Sequence, residues 1–398
     1  HYLYIYIYIY MTNKINLEKT MRLRKNKITR KKLTRKLKYD SYIQTELNNL
    51  LQNIDSDYGI LISKDNKVIY EKYKNNNKNT RFRIFSCSKP ITGLAIVLLA
   101  QMGKLKLTDT IDKFCINIPY NNKIIINHLL YHSSGVYDFS SKLYFDLKPL
   151  DMFNNILKKY ETKFVDFETT IQEINKNKPF FTPMKEPYEY IDKNYNNTGY
   201  DILGYIIYVA SGMKTDEFIK KYIFNKLRMK NSNFQHEKHK DESIPYEKGK
   251  KRGIKEQQNW FCGNAYVSCT LRDYYKFMKG YQKLLKPKYL KKYEKLYYFG
   301  KLSIKNNNKN IKYLTLSHEG GGDFTYLHSK GKKKYNPVSR TMMVQFYPLK
   351  SYKTYLKDNN NYDIKVILSE NYRENNGFFT NNKENYKKII NTLLFHKK

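Results

Sequence analysis

Apolar and polar positions first fall into a helical period after residue 40. Ile43, Leu47, Leu50, Leu51 and Ile54 recur at the spacing of one helix face, which predicts an amphipathic helix. Ile60-Leu61-Ile62 and Val68-Ile69-Tyr70 flank Asp65-Asn66 and predict a hairpin. Ser86 to Ala100 is almost wholly apolar and reads as a long helix ended by Gly103. Thr198 to Ser211 is apolar at helical spacing and stops at Gly212. Thr215 to Leu227 follows, with Thr215 as N-cap and Asp216 and Glu217 in its first turn. His236 to Gln258 is polar and Lys-rich, a surface loop. Thr270 caps a helix reaching about Leu285. After Gly320-Gly321-Gly322, strand-like runs return at Phe324 to His328 and Thr341 to Tyr347, and Ile389 to Phe395 suggests a closing helix.

Early strands, a helical middle and late strands make this an α+β chain whose sheet is interrupted by an inserted lobe. The expected organisation is a disordered basic extension over 1–40 and one domain over 41–398. Within it, 41–106 and 258–398 form the strand-bearing lobe and 107–257 the helical one.

Composition changes this picture little. The chain has 398 residues, 40% of them apolar, which is enough for a sizeable core. A mean hydropathy of -0.75 points to a soluble protein. No run approaches the ~18 apolar residues of a membrane span. Tyr, Ile, Lys and Asn recur together, as in Asn306-Asn307-Asn308-Lys309-Asn310, and all four have AT-rich codons. The expected source is an AT-rich genome such as a parasite, an endosymbiont or a large DNA virus. The formal charge is +38, and residues 12–38 carry eight Lys and four Arg against one Glu. That stretch is the candidate polyanion-binding segment. The rest of the excess is diffuse, as codon bias would make it, so nucleic acid is not the expected main partner.

His1 to Tyr10 is a Tyr-rich dipeptide repeat without a basic region before it or a small-residue cleavage site after it. It does not read as a signal peptide, and Met11 is the alternative start. Cys87, Cys115, Cys262 and Cys269 show no CxxC spacing. Reduced thiols in a cytoplasmic setting are expected.

Chemistry concentrates at three places. In Ser86-Cys87-Ser88-Lys89 a serine and a lysine three residues apart share one face of a helical turn. A neutral lysine there can take the serine proton, beside the N–H groups of a helix start. Tyr195-Asn196-Asn197 stands at the mouth of the Thr198 helix; a phenol near a lysine can serve as acid or base. Asn197 can hold a substrate carbonyl or fix the lysine. His318-Glu319-Gly320-Gly321-Gly322 is a glycine-rich edge that lets a substrate approach the backbone.

Together with their flanks, these segments resemble the serine β-lactamase and D-Ala-D-Ala carboxypeptidase superfamily, in its class C-like branch. Phe82 to Leu107 is similar to its nucleophile segment, and Tyr195 to Tyr200, with Leu203-Gly204 and Ser211-Gly212-Met213, to its second motif. His318 to Gly322 resembles its third motif in the form with His in place of Lys. Asn127 to Gly135 and Gly263 to Ser268 resemble connecting segments.

The resemblance implies an antiparallel sheet flanked by helices and a reaction through an acyl-enzyme. Ser86 would be the nucleophile, Lys89 its activator and Tyr195 a partner in proton transfer. Asn197, His318 and Gly320 would bind substrate, and the N–H groups of Ser86 and Gly321 would hold the oxyanion. Neither metal nor cofactor is implied, and the partner is a small ester, amide or peptide. His318 in place of Lys weakens capture of a carboxylate, and Glu319 disfavours anionic substrates, so efficient β-lactam hydrolysis is not expected.

Two other readings stand beside this one: a catalytically inactive relative that binds or builds, and polyanion binding through 12–38. His128 and His132 are four apart, as zinc ligands can be, but no third ligand follows, and capping or packing explains them better. Cys87 reads as a small buried residue facing away from Ser86, and Trp260 as a packing residue.

Overall fold

The computed structural model describes residues 29, 40–54, 56–138, 167–183, 194–234, 237, 239–243, 246–247, 250–251, 263–294, 296, 298–306, 309–322, 339–348, 364–371 and 388–389. The chain divides into two compact units, one of 1–53 with 381–398 and one of 54–380. The first contains helix α1 over 40–51, where Ile43, Leu47 and Leu51 are buried at the expected spacing. The basic stretch 12–38, the repeat over 1–10 and most of the expected closing helix lie outside the described residues, as do Phe324 to His328, Trp260 and Cys262.

The second unit holds a six-stranded antiparallel sheet. β1 (Asp57–Lys64) and β2 (Lys67–Lys74) form the expected hairpin. Asp65 and Asn66 both have positive φ, 51° and 60°, as a tight two-residue hairpin turn requires. β3 (Phe82–Arg83), β4 (Ser232–Phe234) and β7 (Val267–Cys269) make a separate three-stranded sheet in the order β3-β7-β4. β5 (Tyr246–Glu247) and β6 (Lys250–Lys251) pair within the polar loop.

β8 (Tyr298–Asn306), β9 (Lys309–Gly322), β10 (Ser339–Pro348) and β11 (Ile364–Asn371) complete the large sheet, whose order is β2-β1-β11-β10-β9-β8. The early hairpin therefore joins the late strands through β1 and β11, paired from Asp57↔Asn371 to Lys64↔Ile364. That is the interrupted sheet read from the chain order. Late strands begin earlier than expected, however: β8 and β9 precede or contain the glycine triplet. Their polar Lys and Asn positions give a weak local preference, which pairing of β8 with β9 and of β9 with β10 overrides.

The helices are α2 (Lys89–Gln101), α3 (Ile126–Leu130), α4 (Phe167–Asn175), α5 (Asn197–Ser211), α6 (Thr215–Ile219), α7 (Leu271–Gly280) and α8 (Pro287–Glu294). From Lys89 to Ala100 every residue of α2 is buried. An apolar surface all round places a helix inside the core rather than on its surface. α5 and α8 pack against it.

Two helix starts differ from expectation. The segment from Ser86 does not open as an α-helix: Phe85–Ser88 is a 3-10 turn, and α2 starts at Lys89. The reason is tertiary. Ile84 N–H donates to Val267 O (3.0 Å) and Val267 N–H to Ser88 Oγ (3.1 Å), which pins the chain to β7 through the turn. Thr215 is not an N-cap; it lies inside α6 and its hydroxyl donates to Gly204 O at 2.6 Å. The helix then widens into a π turn over Lys220–Phe224. Thr270 does cap α7, accepting from Asp273 N–H. Gly212, at φ 71°, ends α5 as expected.

Candidate active site

Phe85 carries φ 44°, a left-handed conformation that costs a non-glycine residue about 1–2 kcal/mol. It turns the chain sharply between β3 and α2 and leaves Ser86 half-buried while its neighbours are buried. Side chains three apart eclipse one another in a 3-10 turn. Lys89 Nζ accordingly lies 3.0 Å from Ser86 Oγ.

The lysine is 1% exposed and its ammonium has three protein acceptors: Ser86 Oγ, Asn197 Oδ1 at 2.6 Å and Asn264 O at 3.1 Å. Three donors meet three acceptors, so the protonated state is fully bonded. Burial nevertheless pulls the group down to about 7, against the pull of Asp201, Asp138 and Cys87, which raise it. Near neutral pH a lysine so placed is divided between the ammonium and a free amine able to accept the Ser86 proton.

The second motif arrives on the N-terminus of α5. The Tyr195 ring centre lies 4.8 Å from Lys89 Nζ, and the Tyr200 ring 5.6 Å from it. His132 packs on both rings, at 4.5 and 5.1 Å between centres. Asp138 and Asn196 fix this helix start. Asp138 Oδ1 accepts from Asn197 N–H (3.1 Å), Thr198 N–H (3.0 Å) and the Thr198 hydroxyl (3.0 Å). Asn196 Oδ1 accepts from Gly199 N–H at 2.7 Å, and its amide donates to Val136 O at 2.6 Å. Three N–H groups that a helix leaves unbonded are thus met by side chains, one of them an anion at the positive end of the helix.

Asn264 closes the back of the chamber. Its side-chain amide donates to Asp201 Oδ2 at 2.7 Å while its main-chain oxygen holds Lys89. Gly263, just before it, lies so close to α5 that a Cβ there would stand 1.7 Å from Tyr200 O. Thr92 of α2 donates to Gly263 O at 2.6 Å.

The third motif lies on β9, which runs beside the Phe85–Ser88 turn. His318, Gly320 and Gly321 pair with Met343, Thr341 and Arg340 of β10. On the other side β8 reaches only to Ser317, opposite Tyr298. Among the described residues, positions 318–322 therefore have a strand neighbour on one side alone.

The structure thus brings Ser86, Lys89, Tyr195 and Asn197 together and sets the strand carrying His318, Gly320 and Gly321 beside their turn. Asp138, Asp201, Asn264 and His132 were not singled out as site residues from sequence. For Asp138 and Asp201 a signal existed, an acid just beyond the Asn127–Gly135 and Tyr195–Tyr200 segments; Asn264 had none beyond lying in Gly263–Ser268. His128 serves its own helix, with Nδ1 accepting from Ile125 N–H at 3.2 Å. Cys87 is buried, as expected. Among the described residues no group of three or more His, Cys, Asp or Glu is placed to hold a metal, and no helix is long and apolar enough to cross a membrane.

Residues 55–304 match the family described as Beta-lactamase. Penicillin-binding protein 4* of Bacillus subtilis (strain 168) is 32% identical over 146 residues, 37% of this chain and 29% of that protein. The chain spans less than two thirds of the length of the curated relatives it matches. Among solved structures, a beta-lactamase/D-alanine carboxypeptidase from Yersinia pestis superposes with a TM-score of 0.61 at 17% identity, over 90% of this chain and 99% of that one. A D-amino acid amidase from Ochrobactrum anthropi SV3 superposes with a TM-score of 0.57 at 15% identity, over 89% and 98%. At such identities structural likeness speaks for the fold, here the β-lactamase/transpeptidase-like one. Because the family match covers more than half of the sequence and agrees with that fold, the chain belongs to the beta-lactamase family.

Proposed function

We propose that the protein is a serine hydrolase that cleaves an ester or amide through an acyl-enzyme. Ser86 Oγ attacks the carbonyl carbon as its proton passes to Lys89 Nζ, forming the new C–O bond. The C–O or C–N bond to the leaving group then breaks, and the leaving group takes a proton by way of Tyr195. Water then attacks the acyl carbonyl carbon as one of its protons passes by way of Tyr195 and Lys89 to Ser86 Oγ, the acyl–Oγ bond breaks, and the acid leaves. Asn197 holds Lys89 in line and faces the substrate. The N–H groups of Ser86 and Gly321 hold the oxyanion. His318 and Gly320 bind the substrate.

The observation that carries this reading is the 3.0 Å approach of a fully buried lysine to a half-buried serine hydroxyl. The likeness to a penicillin-binding protein, a beta-lactamase/D-alanine carboxypeptidase and a D-amino acid amidase supports D-amino-acid peptides, amides and small esters as the substrate class. The test is intact-protein mass spectrometry after exposure to a fluorophosphonate and a panel of esters and β-lactams. A mass shift mapped to Ser86 and lost in Ser86→Ala is expected. Folded protein that stays unmodified across the panel overturns the proposal in favour of a silent binding relative.

A further inference from the structure

Two buried carboxylates flank the lysine chamber. Asp138 is occupied by the end of α5. Asp201 is different: it stands four residues after Asn197, on the same face of that helix, and is 2% exposed. Its Oδ2 accepts from the side-chain amide of Asn264, and the main-chain oxygen of the same Asn264 accepts from Lys89 Nζ. Asn264 is itself fully buried. One residue therefore stands between a carboxylate and an ammonium and orients both. A buried anion persists only where a donor and a nearby cation offset its lost hydration. Here the amide is the donor and Lys89 the cation.

We infer that Asp201 is a positioning residue that acts on Lys89 through Asn264, holding the lysine proton in the resting chamber and so setting the pH above which Ser86 is activated. The last clause rests on the hydrolase reading; the effect on Lys89 does not. The groups facing Lys89 are Ser86 and Cys87 from the turn before α2, Asn197, Tyr200 and Asp201 from α5, Tyr195 from the segment leading into α5, Asp138 from the segment after α3, and Asn264. His318 and Glu319 stand on β9, the strand beside the turn. Burial drives the proton off the lysine. Asp201 leads the groups that oppose this, ahead of Asp138 and Cys87. Asp138 also shares its oxygen among three donors of the helix end, whereas Asp201 bonds within the chamber wall itself.

Asp201→Asn tests the inference. It removes the charge, keeps the shape, and leaves an amide oxygen to accept from Asn264. With the full chain labelled at lysine Cε with carbon-13, NMR titration reads Lys89 directly. The expected result is an inflection about one pH unit lower than in the unsubstituted protein, a roughly tenfold weaker hold on the proton. The acid limb of fluorophosphonate labelling at Ser86 moves the same way, so at pH 6 the variant labels several-fold faster. A purely structural role lowers the labelling rate at every pH and leaves the limb in place. An inflection that stays or rises overturns the inference. Asp201→Ser, whose hydroxyl can still accept from Asn264, carries the same test if the Asn variant does not fold. Should the unsubstituted protein never label, the hydrolase reading fails and the NMR shift alone still decides for or against Asp201.

Discussion

Replacing Asp138 with alanine removes the acceptor that holds the start of α5. Asp138 Oδ1 receives two backbone N–H groups and one hydroxyl, all from buried residues. A hydrogen bond to a charged acceptor contributes about 1.5–3 kcal/mol, and an N-cap Asp→Ala change costs about 1 kcal/mol where water can replace the lost oxygen. Buried on this side, the three donors regain only part of that solvation. Asp138→Ala is therefore expected to lower unfolding stability by roughly 2–4 kcal/mol. Asp138→Asn keeps an oxygen in place and gives up mainly the charge at the helix end, about 0.5–1 kcal/mol. Urea unfolding with an unchanged m-value measures both. The same loosening reaches Lys89 through Asn197. Weakening that one bond by about 1.4 kcal/mol slows Ser86 acylation about tenfold. A cost for the alanine variant below about 1 kcal/mol, or equal costs for Ala and Asn, refutes the view that this carboxylate organises the motif.

Lys89→Ala is expected to slow fluorophosphonate acylation about 10²–10⁴-fold, the span of a lost general base, with circular dichroism unchanged. Glu294 of α8 is buried beside Tyr281, which donates to it at 3.2 Å, and burial raises its carboxyl to about 7. A carboxyl raised on folding favours the folded state when protonated. Stability is thus complete below the unfolded value near 4.5 and falls as pH rises through about 7, by roughly 3 kcal/mol. Glu294→Gln should flatten that window in thermal unfolding; a variant that keeps the full slope removes Glu294 as its source. Gly263→Ala places a methyl against the Tyr200 carbonyl and should cost about 3 kcal/mol or more, together with the hold of Asn264 on Lys89. Wild-type stability in that variant, read by urea titration, would contradict the close approach.

Elements built from local chemistry were legible in the sequence. The Asp65-Asn66 turn needs two residues that tolerate positive φ, and both do. α5 could be bounded because Gly212 alone relieves its left-handed end. The pairing of Ser86 with Lys89 was legible because either helical turn brings positions three apart together. The kind of turn was not, since β7 sets it from 179 residues away in sequence, through Ser88 and Val267. β8 and β9 carry weak patterns of their own and form by pairing with each other as sequence neighbours and, for β9, with β10, while the place of β11 in the sheet is set by β1, far along the chain.

The chain's own order of residues settled which side chains are the candidates for the proposed acyl chemistry, because a serine hydroxyl, an amine and a phenol each sit in a recognisable short segment. Only the folded arrangement decided how strongly the amine holds its proton. That property comes from lost hydration at Lys89 and from carboxylates at 138 and 201, and neither water exclusion nor a field between distant residues is written in local sequence.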